Sequence, residues 1–189
     1  MNKLFFTICI GASAGGLPAV IEFFEHIPGD SPAAFIVAMH LIRDRRSLLD
    51  DILSKHTALP IIRVENDMSL EAGKVYLLVE NTTIFVQDSC LKVRARDEAL
   101  KNSSVDSLFE SIAIDFREKA VGIILSGGGS DGLKGAQKIA EMGGIVLVQD
   151  PDSAQTDGMP CSIINDDHPV AILRPAEIAQ EINKLLEHI

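Results

Sequence analysis

Short, nearly continuous apolar runs alternate along this chain with longer segments whose apolar residues recur every three or four positions, and glycines mark many of the switches. The runs at 4–10, 33–39, 59–64, 121–125 and 145–148 have strand length, and residues apolar on both faces suit strands buried inside a parallel sheet. Helical spacing follows in Val20, Ile21 and Phe24, in Leu48, Leu49, Ile52 and Leu53, and in Val105, Leu108, Ile112 and Phe116. It returns in Leu133, Ala136, Ile139 and Ala140, and in Ile178, Ile182 and Leu185. Pro18 and Pro175 fall in first turns, where a missing N–H has no intrahelical partner to lose. Gly143-Gly144 ends the fourth helix. Ser103 and Asp106 have capping-box spacing, which predicts that each side chain satisfies the other's free amide. Runs at 75–79, 84–86 and 91–93 read as short strands joined by tight turns at Asn81-Thr82 and Asp88-Ser89. Residues 150–160 read as a loop, followed by a short strand at 170–173. Strands alternating with helices predict an α/β fold, a doubly wound, mostly parallel sheet with helices on both faces in three layers. No linker or repeat interrupts the series, so a single domain over 1–189 is expected.

Composition narrows the function. At 189 residues, 47% hydrophobic and 23% charged, the chain can bury a full core and is not disordered. A formal charge of −10 argues against sequence-independent nucleic-acid binding, which needs clustered Lys and Arg. With no Trp and one Tyr, platforms for base stacking are scarce as well. Cys9, Cys90 and Cys161 are odd in number and widely spaced, which signals neither a disulfide framework nor a zinc site. No metal or cofactor is predicted, and a reducing cytoplasm is the natural setting. Lys3, the apolar run after it and Ala12-Ser13-Ala14 imitate a signal peptide, but with one positive charge and a brief apolar core. Cleavage there would delete the first strand. No run approaches the roughly 18 apolar residues of a membrane helix, so no membrane insertion is expected.

Candidate chemistry sits at three of the switches. Ser13 lies in Ile10-Gly11-Ala12-Ser13-Ala14-Gly15-Gly16, Asp131 in Leu125-Ser126-Gly127-Gly128-Gly129-Ser130-Asp131-Gly132, and His40 ends the run 33–39. Such turns lie at the carboxyl ends of parallel strands, where α/β sheets bind ligands, so the three side chains suggest a hydrolytic triad. Gly11 to Gly15 fits the G-x-S-x-G elbow, whose glycines permit a sharp turn that exposes the serine. Two plainer readings exist for the same residues, a glycine turn with Ser13 as a helix cap and a phosphate cradle. The cradle lacks Lys-Ser or Lys-Thr after its glycines, and no acidic residue ends a strand about twenty positions on. An α/β-hydrolase would need several strands and an oxyanion loop ahead of its serine. His26 and His56 sit at helix ends, His168 in a polar stretch and His188 at the terminus, which leaves His40 as the histidine on a strand end.

Segments 10–16, 37–41, 104–113, 121–132 and 149–160, in this order and at these intervals, resemble the catalytic domain of the CheB-type chemoreceptor glutamate methylesterases. The likeness runs from about residue 4 to 182. Its most specific parts are Leu-Ser-Gly-Gly-Gly-Ser-Asp-Gly, then Val-Gln-Asp-Pro and Asp-Gly-Met-Pro, similar to the subgroup joined to CheR-type methyltransferases. The resemblance implies Ser13 as nucleophile, His40 as general base and Asp131 as the carboxylate that orients the imidazole. It implies the Gly128 amide as an oxyanion donor, and the Ala14 amide at the helix start is a second donor on physical grounds. The implied reaction is hydrolysis of γ-glutamyl methyl esters on receptor helices through an acyl-enzyme, with deamidation of glutamine as a second activity.

The chain departs from the family pattern at Met39, Leu41-Ile42-Arg43, Lys101-Asn102-Ser103 and Cys161. These positions flank the presumed cleft, where Met159 and Lys101 are candidates for the substrate surface. Cys161 reads as a small buried residue rather than a reactive thiol. Only Met1-Asn2-Lys3 precede the first strand, so no receiver domain is expected in the chain, and a separate or fused receiver or CheR-type methyltransferase is an expected partner. A non-catalytic binding module, a carboxylesterase with another substrate and a nucleotide-binding module are the alternatives. Intact Ser13, His40 and Asp131 speak against the first of these.

Overall fold

A computed structural model describes residues 5–39, 46–96 and 103–187. In chain order its elements begin with β1 (Thr7–Ala12), α1 (Gly16–Glu25), β2 (Ala34–Met39), α2 (Leu49–Leu53), β3 (Ile61–Val64), β4 (Met68–Ser69), β5 (Lys74–Leu78), β6 (Thr82–Gln87) and β7 (Cys90–Ala95). They continue with α3 (Ser104–Phe116), β8 (Ala120–Ile124), α4 (Leu133–Glu141), β9 (Ile145–Gln149), α5 (Gly158–Asp166), β10 (Ala171–Leu173) and α6 (Pro175–Leu186).

Seven strands form one sheet in the order β10-β9-β8-β1-β2-β5-β3, and every pairing in it is parallel. Its central strands are apolar on both sides because both sides are covered. Ile8, Ile10, Phe35 and Val121 pack with Phe23 and Phe24 of α1 and Ile178 of α6, while Cys9, Ile36 and Ile124 pack with Phe109 of α3 and Ile139 of α4. This is the doubly wound, three-layer α/β architecture expected.

Most expected elements are present, with differences that have local causes. The run at 75–79 is β5, which inserts between β2 and β3 of the parallel sheet instead of joining the two strands after it. Val75, Tyr76, Leu77 and Leu78 are all buried, a load that a strand covered on one face cannot carry. Strand β7 pairs with β6 on one side and β4 on the other in a separate antiparallel sheet. Their turn residues Asp88 and Ser89 have φ of 53° and 60°, the mirror-image turn that matches strand twist. This ribbon lies on α3, where the Val86 N–H donates to Ser111 Oγ at 2.8 Å and the Ser89 N–H to Asp115 Oδ2 at 2.8 Å.

Helix α5 occupies part of the expected 150–160 loop. Its Gly-Met-Pro start reads as loop composition, yet Pro160 falls in the first turn, where proline is tolerated. Leu48 precedes α2 and is 56% exposed, and Ala140 is exposed on the outer side of α4, so neither joins its expected apolar stripe. Gly143, at φ 81°, and Gly144 close α4 with bonds to Ala140 O at 3.0 Å and Ile139 O at 2.9 Å, the pair of a Schellman ending. The expected capping box at α3 does not form. Ser103 makes no side-chain cap bond, and Asp106 reaches another helix.

Candidate active site

The first turn is short because β1 hands directly to α1. The cap position of α1 is Gly15 at φ 71°, so Ser13 stands two residues ahead of it, outside the helix rather than capping it. The Ser13 N–H donates to Ser126 O at 3.0 Å, and Ser13 O accepts the Gly16 N–H at 2.9 Å. Ser126 is fully buried, and its Oγ has two carbonyls in reach of its one proton, Ala14 O at 3.0 Å and Thr156 O at 3.1 Å, while accepting the Thr156 N–H at 2.9 Å. One hydroxyl therefore ties the serine turn to the segment before α5. Gln149, at the end of β9 and buried, holds the Ser126 N–H at 2.8 Å through Oε1 and donates to Ser153 through Nε2.

The second turn follows β8 and wraps over the first. A Cβ on Gly127 would lie 3.0 Å from Ser13 Cβ and would collide with Met159 Sδ, so only glycine lets this loop lie against Ser13. Gly127 is also pinned by its own amide and carbonyl, which bond Thr156 O at 2.9 Å and the Met159 N–H at 2.7 Å. Its N–H is thus already engaged, whereas Gly128, next along, is exposed at the rim. Of the three consecutive glycines only Gly129, at φ 81°, has a positive φ. Met159, expected beside the cleft, is fully buried beneath Gly127. Ala14 is exposed on the turn just before α1.

Asp131, 9% exposed, closes the loop with both carboxylate oxygens engaged. Its Oδ2 accepts the Val105 N–H at 3.2 Å and its Oδ1 the Asp106 N–H at 2.9 Å, both from the start of α3. Asp106 answers from the other side, for its Oδ1 accepts the Gly132 N–H at 2.9 Å and the Gly135 N–H at 3.0 Å at the start of α4. Burial, with the nearby Asp131 charge, pushes the Asp106 carboxyl up from its ordinary value, and Gly135, Gly132 and Lys134 oppose the rise. Asp106, Ser126 and Gln149 were not among the sequence candidates. A polar residue ending the apolar runs of β8 and β9 was the available signal for Ser126 and Gln149.

His40 and Lys101 lie outside the described residues. Around them, Met39 pairs in register with Ala12, so the residues immediately before His40 and Ser13 are neighbours on adjacent strands. On the far side of the gap, Ser47 donates its N–H to the Glu80 carboxylate, which also pairs with Arg63 at 2.9 Å. His26 Nδ1 meets Glu22 O at 2.8 Å at the end of α1, and His56 Nδ1 meets Glu25 Oε1 at 2.7 Å. Neither is near a strand end. A cleft of about 230 Å³ beside the elbow is lined by Gly15, Glu22, Gln149, Ser153 and Gln155. All three cysteines are free; Cys161 is only partly buried, not the buried residue expected, and desolvation with the neighbouring Asp157 pushes its thiol up, away from thiolate chemistry.

A family model described as CheB methylesterase matches residues 8–182. The chain belongs to this family. A protein-glutamate methylesterase/protein-glutamine glutaminase of Hahella chejuensis is 33% identical over 181 residues, 94% of this chain and 52% of the relative. A relative in Rhodobacter capsulatus, described as an uncharacterized 104.1 kDa protein, is 36% identical over 113 residues, 60% of this chain and 12% of its own. The chain thus spans about half the length of the methylesterase relative and far less of the larger one. The CheB methylesterase catalytic domain of Thermotoga maritima superposes with a TM-score of 0.87 at 24% identity, covering 97% of this chain and all of that one. The CheB fold therefore extends through the sheet, both helical layers and the two glycine turns. No helix among the described residues is long and apolar enough to cross a membrane.

Proposed function

We propose that this chain hydrolyses γ-glutamyl methyl esters on chemoreceptor helices as a serine esterase, in the cytoplasm, with deamidation of glutamine as a second activity. The observation that carries the reading is the juxtaposition of strand ends. Ser13 follows β1, His40 follows the β2 residue paired beside it, and the loop bearing Asp131 leaves β8 on the other flank of β1. Family membership supports the ester chemistry, and the relatives' names support the glutamyl substrate.

In this reading His40 takes the Ser13 hydroxyl proton as Oγ attacks the ester carbonyl. The charge of Asp131, whose carboxylate is oriented by two α3 amides, would stabilise the resulting imidazolium. The tetrahedral oxyanion accepts the Gly128 and Ala14 amides, and collapse returns the proton to the departing methoxide as methanol. Water, deprotonated by His40, then attacks the acyl-enzyme and frees the glutamate carboxylate and Ser13. With glutamine, ammonia leaves in place of methanol.

The test is methanol release from methylated receptor. Wild-type protein is expected to release it, and Ser13→Ala, which removes one hydroxyl from a turn fixed by its backbone, is expected to release none while melting as wild type does. Full activity in Ser13→Ala overturns the nucleophile, and no release by wild type overturns the substrate.

A further inference from the structure

We infer that Asp106 is a positioning residue for this reaction, fixing the loop that carries Asp131 through a two-way exchange of helix caps. The inference rests on the reading of Asp131 as the acid of the triad. Helix α4 has no cap of its own. Its cap position is Gly132 at φ 106°, where a Cβ would meet Ile124 Cδ1 at 2.6 Å and Val105 Cγ1 at 2.9 Å. A Ser, Thr or Asp there, the usual solution for a helix start, has no room. The acceptor for the Gly132 and Gly135 amides therefore comes from outside, and it is Asp106 of α3. Helix α3 has the matching deficit, because Ser103 makes no side-chain cap bond and the Val105 and Asp106 amides go to Asp131.

Asp106 thus caps the helix that follows Asp131, and Asp131 caps the helix that contains Asp106. Asp131 cannot shift without releasing α3, and α3 cannot shift without moving the acceptor that holds Gly132, the residue next to Asp131. A carboxylate of the triad must hold its place within a fraction of an ångström, since a misplacement of about 1 Å costs on the order of a hundredfold in rate. The arrangement also separates two properties of Asp106. Both bonds end on Oδ1, so an amide oxygen supplies the same anchor without the charge.

The experiment compares Asp106→Ala, Asp106→Asn and Asp131→Asn with wild type, by kcat and KM for methylated receptor, by the labelling rate of Ser13 with a fluorophosphonate, and by thermal melting. Asp106→Ala is expected to lower kcat by roughly ten- to a hundredfold with KM unchanged, and to slow labelling in step. Asp106→Asn is expected to restore both to within a few fold. If Asp106→Ala does not fold, Asp106→Glu, which displaces the acceptor by one methylene, is expected to show the same loss of kcat.

A lowered melting point with wild-type kcat and labelling in the folded Asp106→Ala variant makes Asp106 a cap only and overturns the inference. Failure of Asp106→Asn to rescue overturns it too, because the charge and not the anchor then matters. An inactive Asp131→Asn beside an unaffected Asp106→Ala removes this inference and leaves the triad standing. Full activity in Asp131→Asn removes both.

Discussion

The two glycine turns of the site do the same topological job by opposite means. The turn between Ala12 and Gly16 is so short that beyond its own backbone it is held by one residue, Ser126, whose carbonyl accepts the Ser13 N–H and whose hydroxyl reaches Ala14 O. The turn between Ile124 and Leu133 is longer, spans three consecutive glycines, and depends on groups from α3, β9 and the start of α5. The first turn takes its outside support from one distant residue, Ser126, and the second from three separate elements. Damage to the site is therefore expected to concentrate in the second turn, or in the residues that hold it.

The largest expected effect is at Asp131. Asp131→Asn is expected to lower turnover by up to roughly ten-thousand-fold through loss of the imidazole's orienting charge. It is also expected to melt lower than wild type, because both oxygens accept amides and an NH2 group must face one of them. Turnover assays with melting curves check both parts, and an unchanged melting point breaks the contrast with Asp106, where one oxygen does all the accepting.

Next come the glycines. Gly128→Pro, which removes the proposed oxyanion amide, is expected to slow acylation by roughly a hundredfold or more. Gly128→Ala is expected to be nearly silent, since the nearest atom to an added Cβ is Thr156 Cγ2 at 3.9 Å. Gly127→Ala is expected to cost both rate and stability through Met159 and Ser13, so it is a probe of packing and not a neutral control. Burst kinetics and melting of the three variants distinguish these cases, and equal losses in all three would mean general distortion of the loop.

The smallest effect is electrostatic. Because the folded protein raises the Asp106 carboxyl, its favourable state is the protonated one, and stability from this group is lost as pH rises through its folded pKa. Asp106→Asn is therefore expected to melt slightly above wild type at neutral pH, with the difference closing below about pH 4, where ordinary carboxylates protonate. Paired melting curves across that range decide it, and a difference that widens toward acid reverses the sign.

The same contrast explains what was legible in the sequence. Continuous apolar runs revealed the strands of the parallel sheet, and the glycines after Ile10 and Leu125 marked the two turns that carry Ser13 and Asp131. Asp106 was visible only as a local capping-box spacing, and spacing cannot show that its bonds reach Gly132 and Gly135 across a helix pair. The run that forms β5 reads as joining the two strands after it for the same reason, since an apolar run states that it is buried and not which strand it joins. Helix α5 escaped because Gly158 and Pro160 are loop residues by composition and become a helix start only once Gly127 O accepts the Met159 N–H.

The position of β1 has a consequence for the order in which the molecule assembles. Emerging from the ribosome, β1 meets β2 soon, with Thr7 opposite Ala34, but its other edge waits for β8, where Thr7 meets Ala120. Parallel pairing over so long a stretch of chain is slow to close, because the intervening segment must lose its freedom before the contact forms. Until then the edge of β1 stands open and Ser13 lacks its Ser126 partner. A nascent chain halted before residue 120 would carry Ser13 without the strand that closes the second edge of β1 or the glycine loop that lies against the serine.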